Sequence, residues 1–402
     1  MVDKYGVIDS KYLEALRFGG AKYLTKIQPL DHWENALGEL YADILTDDPA
    51  QQTVGCGNEV RRSLSLTLYD GDEKYSPNKN SHFWYNRKFR LWEGTQVGQD
   101  TYWQPQGVYY STRAEEQNKL LTISAVDKFG ALNGELNIGK CVLPFSTDIS
   151  GGDICVADLV REVLALNTGA LPIDPIPPLI DPYFETAKLY ADIALNAGQF
   201  YGDILIDLAS MYGADCYFDR SGRLNFRRKA VHDRPWWYMH QGYAWRFSDN
   251  DVNIVEGVRR STDLRAVNTV TVMSDNSEGE VACYTARNTN PESPVCVQNI
   301  GEQYPDEPIV YISIGDTTRQ PAVEKCRQYA EYLLMQYTAQ LCSEVFTTAI
   351  IPHLDVDKLV YLRGKDRLVT GMSIDHGSKL MQLTACNTAF LPTNNQVEVM
   401  AS

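Results

Sequence analysis

The feature that most constrains the fold is an alternation of polar and apolar residues with a period of two, which runs through the first third of the chain. Residues 63–69 alternate Ser or Thr with Leu and lead to Asp70 and Gly71, a pattern typical of a strand that ends in a tight turn. Further short segments of this kind lie at residues 89–92, 107–111 and 120–126. Several short strands at close spacing predict a small antiparallel barrel or sandwich, preceded by a short helix at residues 10–18.

The middle of the chain has helical periodicity instead. Residues 157–166 place their apolar side chains on one face of a helix, and a proline-rich connector follows at 171–178. A second helix is predicted from about residue 202 to residue 212. A hairpin follows at 216–226, because polar residues and Gly222 form its turn. Helix followed by hairpin predicts a small α+β domain.

After residue 252 the pattern returns to strands, interrupted by one long helix. Its apolar residues recur at spacings of three and four, and they are Ala322, Cys326, Ala330, Leu333, Tyr337 and Leu341. We therefore predict three domains. Residues 1–135 hold the N-terminal helix and a first β-barrel-like domain, residues 136–250 an α+β domain, and residues 251–402 a second β-barrel-like domain with a docked helix at 319–341. The predicted fold class is mainly β with an α+β insert: two β-barrel-like domains plus smaller α+β domains.

Length and charge narrow the function classes. The chain has 402 residues, enough for two to four domains, and carries 52 acidic against 37 basic residues, a net charge of −15. A strongly acidic surface repels nucleic acid, which argues against DNA binding as the main task. No segment approaches the roughly 18–20 apolar residues of a membrane span, and the N-terminus has no signal-peptide pattern. Nine scattered cysteines without close spacing predict reduced, mostly buried thiols.

The sequence offers no recognisable catalytic, cofactor-binding or metal-binding motif. Glycine-rich phosphate loops and the serine nucleophile elbow are absent from the sequence. The sequence contains three pairs of neighbouring carboxylates, and their surroundings are typical of solvent-exposed turns. These pairs are Asp47 with Asp48, Glu115 with Glu116, and Asp249 with Asp251. We therefore expect a non-enzymatic protein with no catalytic residue, no cofactor and no metal.

Two aromatic clusters leave an alternative open. One comprises Trp236, Trp237 and Tyr238 together with Trp245, and the other comprises residues 83–85. Aromatic residues are common in β cores and at subunit interfaces, and they also form stacking platforms for sugars. The alternative interpretation of the sequence is therefore a β-rich carbohydrate-binding or glycan-processing protein.

Three segments, in this order along the chain, resemble the tail hub and baseplate hub proteins of phages. The first is the strand pair at 106–111 and 120–130, which closes with Asp127, Lys128 and Phe129. The second is the helix and hairpin at 203–226, and the third is the late helix around 329–334 with the strand and turn after it. No counterpart is found for residues 20–55.

This resemblance implies a structural virion protein, made in the host cytoplasm and located at the tail tip or baseplate. Such hubs are homotrimers in which two β-barrel-like domains per subunit give a pseudo-sixfold ring. The implied partners are the distal tail protein or tail tube protein, a spike, tip or receptor-binding apparatus, and the tape measure protein. Phage DNA would pass through the lumen without sequence-specific binding. The equivalent hub of a contractile bacteriocin or injection particle has the same parts, so the sequence does not separate the two.

Overall fold

The structure is a computed structural model, and it describes residues 2–19, 21–37, 50–56, 60–136, 138–147, 154–166, 171–189, 193–228, 230–231, 234–235, 243–247, 254–260, 265–275, 281–313, 319–341, 343–392 and 397–401.

The first part of the chain is a series of strands with one helix, α1 (Ser10–Phe18). The Asp9 side chain accepts a hydrogen bond from the Tyr12 amide at 2.9 Å, and Gly19 ends the helix in the left-handed conformation at φ 74°. The strands are β1 (Val2–Tyr5), β2 (Lys22–Leu30), β3 (Gln51–Gly55), β4 (Arg62–Tyr69), β5 (Lys88–Val97), β6 (Asp100–Gln117) and β7 (Leu120–Asp127). A 3-10 helix, Lys128–Ala131, follows β7.

The middle part packs two helices, α2 (Val156–Ala165) and α3 (Tyr201–Met211), against a hairpin. Its strands are β8 (Phe145–Ser146), β9 (Leu179–Ile180), β10 (Ala194–Leu195), β11 (Ala214–Phe218), β12 (Leu224–Arg228), β13 (Ala230–Val231) and β14 (Arg234–Pro235). The hairpin joins β11 to β12, and β9 adds to it in parallel beside β12. The helices and hairpin agree with the α+β pattern of the sequence.

The last part contains the long helix α5 (Arg319–Leu341) and a short helix α4 (Val297–Ile300). Its strands are β15 (Trp245–Phe247), β16 (Ile254–Arg260), β17 (Thr269–Asp275), β18 (Cys283–Asn288), β19 (Ile309–Ser313), β20 (Ser343–Ala349), β21 (Leu359–Leu362), β22 (Lys365–Asp375), β23 (Leu380–Asn387) and β24 (Val397–Ala401). A 3-10 helix, Thr388–Phe390, follows β23.

Helix α5 covers a four-stranded sheet of order β19-β17-β18-β24. The residues fully buried on it include Ala322, Cys326, Ala330 and Leu334, at a strict spacing of four. Leu333 and Tyr337, which the sequence pattern placed in this stripe, are only partly buried. A row at a spacing of four is inclined to the helix axis, so the buried side turns along α5, and Met335 and Ala339 near its end are buried in a separate cluster.

The first and last parts of the chain share one large sheet. Its path is β16-β20-β23-β22-β3-β4-β7-β6-β5-β2, with β1 beside β6, and β21 between β22 and β15. The link is the antiparallel pair β3–β22, which runs from Gln51 opposite Asp375 to Gly55 opposite Gly371. The predicted class, mainly β with an α+β insert, is confirmed, whereas the domain limits 1–135, 136–250 and 251–402 stay a prediction.

The large sheet contains the same three-stranded meander twice. In the first copy β5, β6 and β7 pair in order, and in the second copy β21, β22 and β23 do. A two-residue turn joins the first two strands in each copy, and the pairing of the last two strands has an irregular register in each. Each meander ends in a 3-10 helix capped by a side chain: Asp127 accepts from the Phe129 amide, and Asn387 from the Ala389 amide. The two meanders therefore share their strand order, the length of the first turn and a capped 3-10 helix at the end.

Among the described residues, the helices include none that is long and apolar enough to cross a membrane.

Candidate functional site

Of the paired carboxylates singled out in the sequence, the structure describes Glu115 and Glu116. Glu115 pairs with Arg113 on the surface at 2.6 Å, and Asp47, Asp48, Asp249 and Asp251 lie outside the described residues. Within the part of the chain that the structure describes, no group of three or more His, Cys, Asp or Glu side chains is placed to hold a metal ion.

In the described part of the chain, the clearly exposed member of the two aromatic clusters is Tyr85, at 75%. Trp245 is buried and lies edge-on to Phe247, and Phe83 is buried as well. Trp84 is half-buried and donates from Nε1 to the Tyr75 carbonyl at 2.8 Å. Trp236, Trp237 and Tyr238 lie outside the described residues.

The most organised polar region is the tip of the β11–β12 hairpin, residues 219–222. Asp219 Oδ1 accepts from the amides of Ser221 and Arg223, and Gly222 takes the left-handed φ of +84°. These are the turn residues that the sequence pattern indicated. A Cβ on Gly222 would lie 2.5 Å from Val108 Cγ2 of β6, so the tip is pressed against the first meander.

Two arginines tie this tip to both β parts of the chain. Arg220 donates from Nε to the Pro105 carbonyl of β6 at 2.7 Å, and from Nη2 to the Pro352 carbonyl in the last part. Arg62 of β4 is 1% exposed and donates to the Phe218 carbonyl at 3.0 Å and to Asp355 Oδ1 at 2.6 Å. The hairpin tip is therefore wedged between the first and last parts of the chain.

A second ionic group continues this junction. Asp357 Oδ2 lies 2.7 Å from both Arg61 Nη1 and Arg227 Nη2. Burial opposes ionisation, but the two guanidinium charges hold the pKa of Asp357 below its usual value. The Cys56 thiol donates to Asp357 Oδ1 at 2.8 Å, and burial raises its pKa well above the usual value, so it is an unreactive thiol.

Asp127 fixes the start of β4 relative to the end of the first meander. Its Oδ2 accepts from the amides of Arg61 and Arg62 at 2.8 and 2.9 Å, and its Oδ1 accepts from the Phe129 amide. Burial raises the pKa of Asp127 to about 6, although these three hydrogen bonds favour the charged form.

A third polar group crosses the β3–β22 seam. His376 Nδ1 lies 2.8 Å from Glu93 Oε2, and its Nε2 lies 2.9 Å from Gln52 Oε1. Gln52 Nε2 donates to the Tyr109 hydroxyl at 2.8 Å, which orients its amide oxygen toward the imidazole. Lys379 completes the group through Glu93 Oε1 at 2.9 Å. Buried pairs of this kind fix the relative position of the elements that supply them.

The surface offers separate apolar residues for contacts with partners. The large side chains that are more than half exposed in the described part are Val2, Phe18, Trp33, Tyr69, Tyr85, Val142, Leu143, Val281 and Tyr311. Phe18, at 79% exposure, ends α1 beside the large sheet, whereas Val142, at 80%, lies in the α+β insert. Exposed aromatic and aliphatic side chains are typical of protein interfaces.

A cavity of about 270 Å³ opens between α5 and the second meander. Met335, Ala339 and Leu368 form its apolar wall, and Cys56 and Asp357 lie at its lining as well. Asp357 is already engaged by two arginines and a thiol. The other polar side chains that line the cavity are those of Gln336, Gln340, Ser343, Thr370 and Thr384.

The sequence did not reveal the buried arginines of the junction. The one available signal was Arg61 and Arg62, two charges next to each other at the start of a strand whose other residues alternate with Leu. Their partners Asp355 and Asp357 are about 300 residues away, and no local pattern connects them.

The chain matches no protein-family model and no curated protein. It is similar in structure to the 43 kDa tail protein of prophage MuSo2 from Shewanella oneidensis, with a TM-score of 0.53 and 13% identity over 92% of this chain and 99% of that one. It is also similar to the tail protein from Neisseria meningitidis MC58, with a TM-score of 0.53 and 12% identity over 92% and 98% of the two chains. At such identities the likeness shows a shared fold, which is that of these tail proteins.

Proposed function

We propose that this chain is a structural hub protein of a phage tail tip or baseplate. Three copies form a ring that joins the sixfold tail tube or distal tail protein to a threefold spike or tip. The ring closes the DNA exit channel until the host is bound. The likeness in fold to two tail proteins, over nearly the whole length of each, supports this proposal.

The observation that carries the proposal is the repeated meander. A threefold ring meets a sixfold tube without mismatch when every subunit offers two similar surfaces. The meanders β5–β7 and β21–β23 are such a pair within one chain, and the β3–β22 pairing places them in one sheet. Three copies of the chain then supply six meanders.

The buried polar junction supports a mechanical role. Arg220 and Arg62 connect the hairpin with both β parts, and Asp357 joins Arg61 to Arg227 of β12. Arg62 and Asp357 are buried. Breaking a buried ion pair costs several kcal/mol, roughly 3–5 in measured cases, so the two meanders are held in a fixed relation. Because the subunit is rigid, a movement where it contacts a partner protein also moves the part of the subunit that lines the channel. The channel then opens when the ring changes from one packing of its three subunits to another.

The acidic charge is consistent with DNA passing through without sequence-specific binding. The net charge of −15 repels the phosphate backbone and prevents it from adhering to the lumen. In this proposal the further partners are the tape measure protein and the spike or receptor-binding apparatus, the location is the virion, and the protein has no enzymatic role.

Electron microscopy of the purified chain tests the proposal. We expect ring-shaped particles with threefold symmetry, in which six similar densities surround a central channel. Rings with another symmetry, or particles without a channel at concentrations where the chain is associated, would contradict it.

A further inference from the structure

A buried cluster of Lys128, Asp174 and Glu34 lies beside the hairpin tip and is separate from the arginine junction described above. Lys128 Nζ donates to Asp174 Oδ1 at 2.7 Å, to the Gly222 carbonyl at 2.7 Å, and to Glu34 Oε1. The side chains of Lys128, Asp174 and Glu34 are 2%, 2% and 4% exposed. An amine, a carboxyl group and a second carboxylate therefore meet in a space without access to bulk water.

The two oxygens of Asp174 have different surroundings. Oδ1 accepts from Lys128 and from the Ile176 amide at 3.1 Å, whereas Oδ2 is buried and has no hydrogen-bond partner among the described residues. Burial raises the pKa of Asp174, which favours its neutral form despite the nearby lysine. A neutral Asp174 would carry its proton on Oδ2, the oxygen that accepts no hydrogen bond, and the Lys128 ammonium in contact with Oδ1 is the group that can supply this proton.

The neighbours of Glu34 keep it in place. Its Oε2 lies 3.2 Å from Arg90 Nη2, and its Oε1 lies 3.7 Å from Lys88 Nζ. Phe218 closes another side, with its ring centre 5.0 Å from Lys128 Nζ. Glu34 is thus fixed at the amine, and its negative charge adds to the effect of burial in raising the pKa of Asp174.

We propose that Lys128 and Asp174 become joined by an isopeptide bond, formed by the folded chain itself. The neutral amine of Lys128 attacks Asp174 Cγ, so that the Nζ–Cγ bond forms and the Cγ–Oδ2 bond breaks. Glu34 takes one proton from Nζ and gives it to the leaving hydroxyl, which departs as water. Oδ1 stays as the amide oxygen and keeps its hydrogen bond from the Ile176 amide. Glu34 ends as it began, and no oxidant or other reactant is needed.

Proximity makes this reaction feasible without an enzyme. Holding two reacting groups in contact replaces a bimolecular step by a unimolecular one and accelerates it by many orders of magnitude. The carboxylate of Glu34 supplies the proton transfer that the departure of hydroxide requires. The product would link the 3-10 helix after β7 covalently to the proline-rich segment of the α+β insert. The link would lie next to the hairpin tip, where Lys128 also contacts the Gly222 carbonyl.

Mass spectrometry of the denatured full chain tests the inference directly. We expect a mass lower than the sequence mass by one water molecule, and a proteolytic peptide pair joined through Lys128 and Asp174. The variants Lys128→Arg and Asp174→Ala should have the full mass. Glu34→Gln should show the unlinked chain for longer after synthesis. Lys79→Arg, a change at an exposed lysine that pairs with Glu73 outside the cluster, should retain the link.

The full sequence mass in the wild-type chain after prolonged incubation in the folded state would overturn the inference. A water loss that maps to any other pair of residues would overturn it equally. Neither result depends on the number of subunits, so the failure of this inference and the failure of the proposed hub function are distinguishable.

Discussion

Arg62 Nη2 lies 2.6 Å from Asp355 Oδ1, although 293 residues separate the two in the chain. The same guanidinium donates to the Phe218 carbonyl from its other nitrogen. One side chain in β4 therefore connects the first β part, the last β part and the hairpin of the insert. This relationship identifies the junction as the element that holds the subunit together.

Substituting Arg62 should destabilise the whole chain. The Arg62→Ala change leaves the Asp355 carboxylate and the Phe218 carbonyl without their buried donor, and we expect a loss of about 3–5 kcal/mol in the free energy of unfolding. Urea denaturation followed by tryptophan fluorescence measures it. Arg113→Ala, which breaks the exposed pair with Glu115, is the control and should change the value by less than about 0.5 kcal/mol. Equal effects of the two changes would refute the role of the junction.

The Gly222→Ala change tests how closely the hairpin tip fits against β6. The new Cβ would meet Val108 Cγ2 at 2.5 Å, in addition to the strain of a φ of +84°. Gly364→Ala is a matched control, because its φ is +76° and nothing lies within 4 Å. We expect about 1 kcal/mol of destabilisation at Gly364 from backbone strain, and roughly 1–3 kcal/mol more at Gly222 from the clash. The same loss in both variants would show that the tip is not tightly packed.

His353 should make the stability depend on pH. Its Nδ1 accepts from the Tyr12 hydroxyl at 3.1 Å, its Nε2 donates to the Ala244 carbonyl at 3.2 Å, and Arg220 is the charged group nearby. Burial lowers the pKa of His353 to about 4. The unfolded chain takes up a proton near pH 6.5 and the folded chain does not, so stability falls as the pH decreases from about 6.5 toward 4.

The comparison is therefore between the wild type and His353→Gln at pH 7 and pH 5. Between these two values the wild type should lose roughly 1–2 kcal/mol more of its free energy of unfolding than the variant. If the free energy of unfolding falls by the same amount in both proteins, His353 does not contribute to the pH dependence of stability.

A pair of surface substitutions tests where the subunits meet. Phe18 and Val142 are equally exposed, but only Phe18 lies beside the large sheet that is proposed to form the ring. Phe18→Asp should abolish association, because a charge cannot be buried in an apolar contact, and it should leave the unfolding curve of the monomer unchanged. Val142→Asp should associate normally. Sedimentation velocity of the two variants gives the result, and loss of association in Val142→Asp alone would assign the interface to the insert.

Local sequence patterns predicted the elements more successfully than their arrangement. The alternation at residues 63–69 became β4, and the predicted helix at 10–18 became α1, because period and capping residues act within a few residues of each other. The β3–β22 pairing could not be predicted in this way, since the register between strands that are 300 residues apart depends on tertiary packing. For the same reason no local pattern predicts that Tyr12 and Leu16 of α1 share one buried cluster with residues of the last part of the chain.

The contacts of the candidate site were likewise not predictable from local sequence patterns. The turn at 219–222 was evident from its residue types, but the arginines that bind it have no local signature, and a buried charge is unexpected until its partner is known. The repeated meander has a faint sequence trace: Asp127 and Asn387 each end a strand, and a phenylalanine follows two residues after the first and three after the second. That trace becomes meaningful only when both capped 3-10 helices are seen at the ends of equivalent strands.

Light scattering of the purified chain over a range of concentrations tests the central claim most directly. The account predicts a mass three times that of the 45.3 kDa subunit, reached without a populated dimer as the concentration rises. A stable dimer or tetramer, or a monomer at the highest concentration that stays soluble, would contradict it.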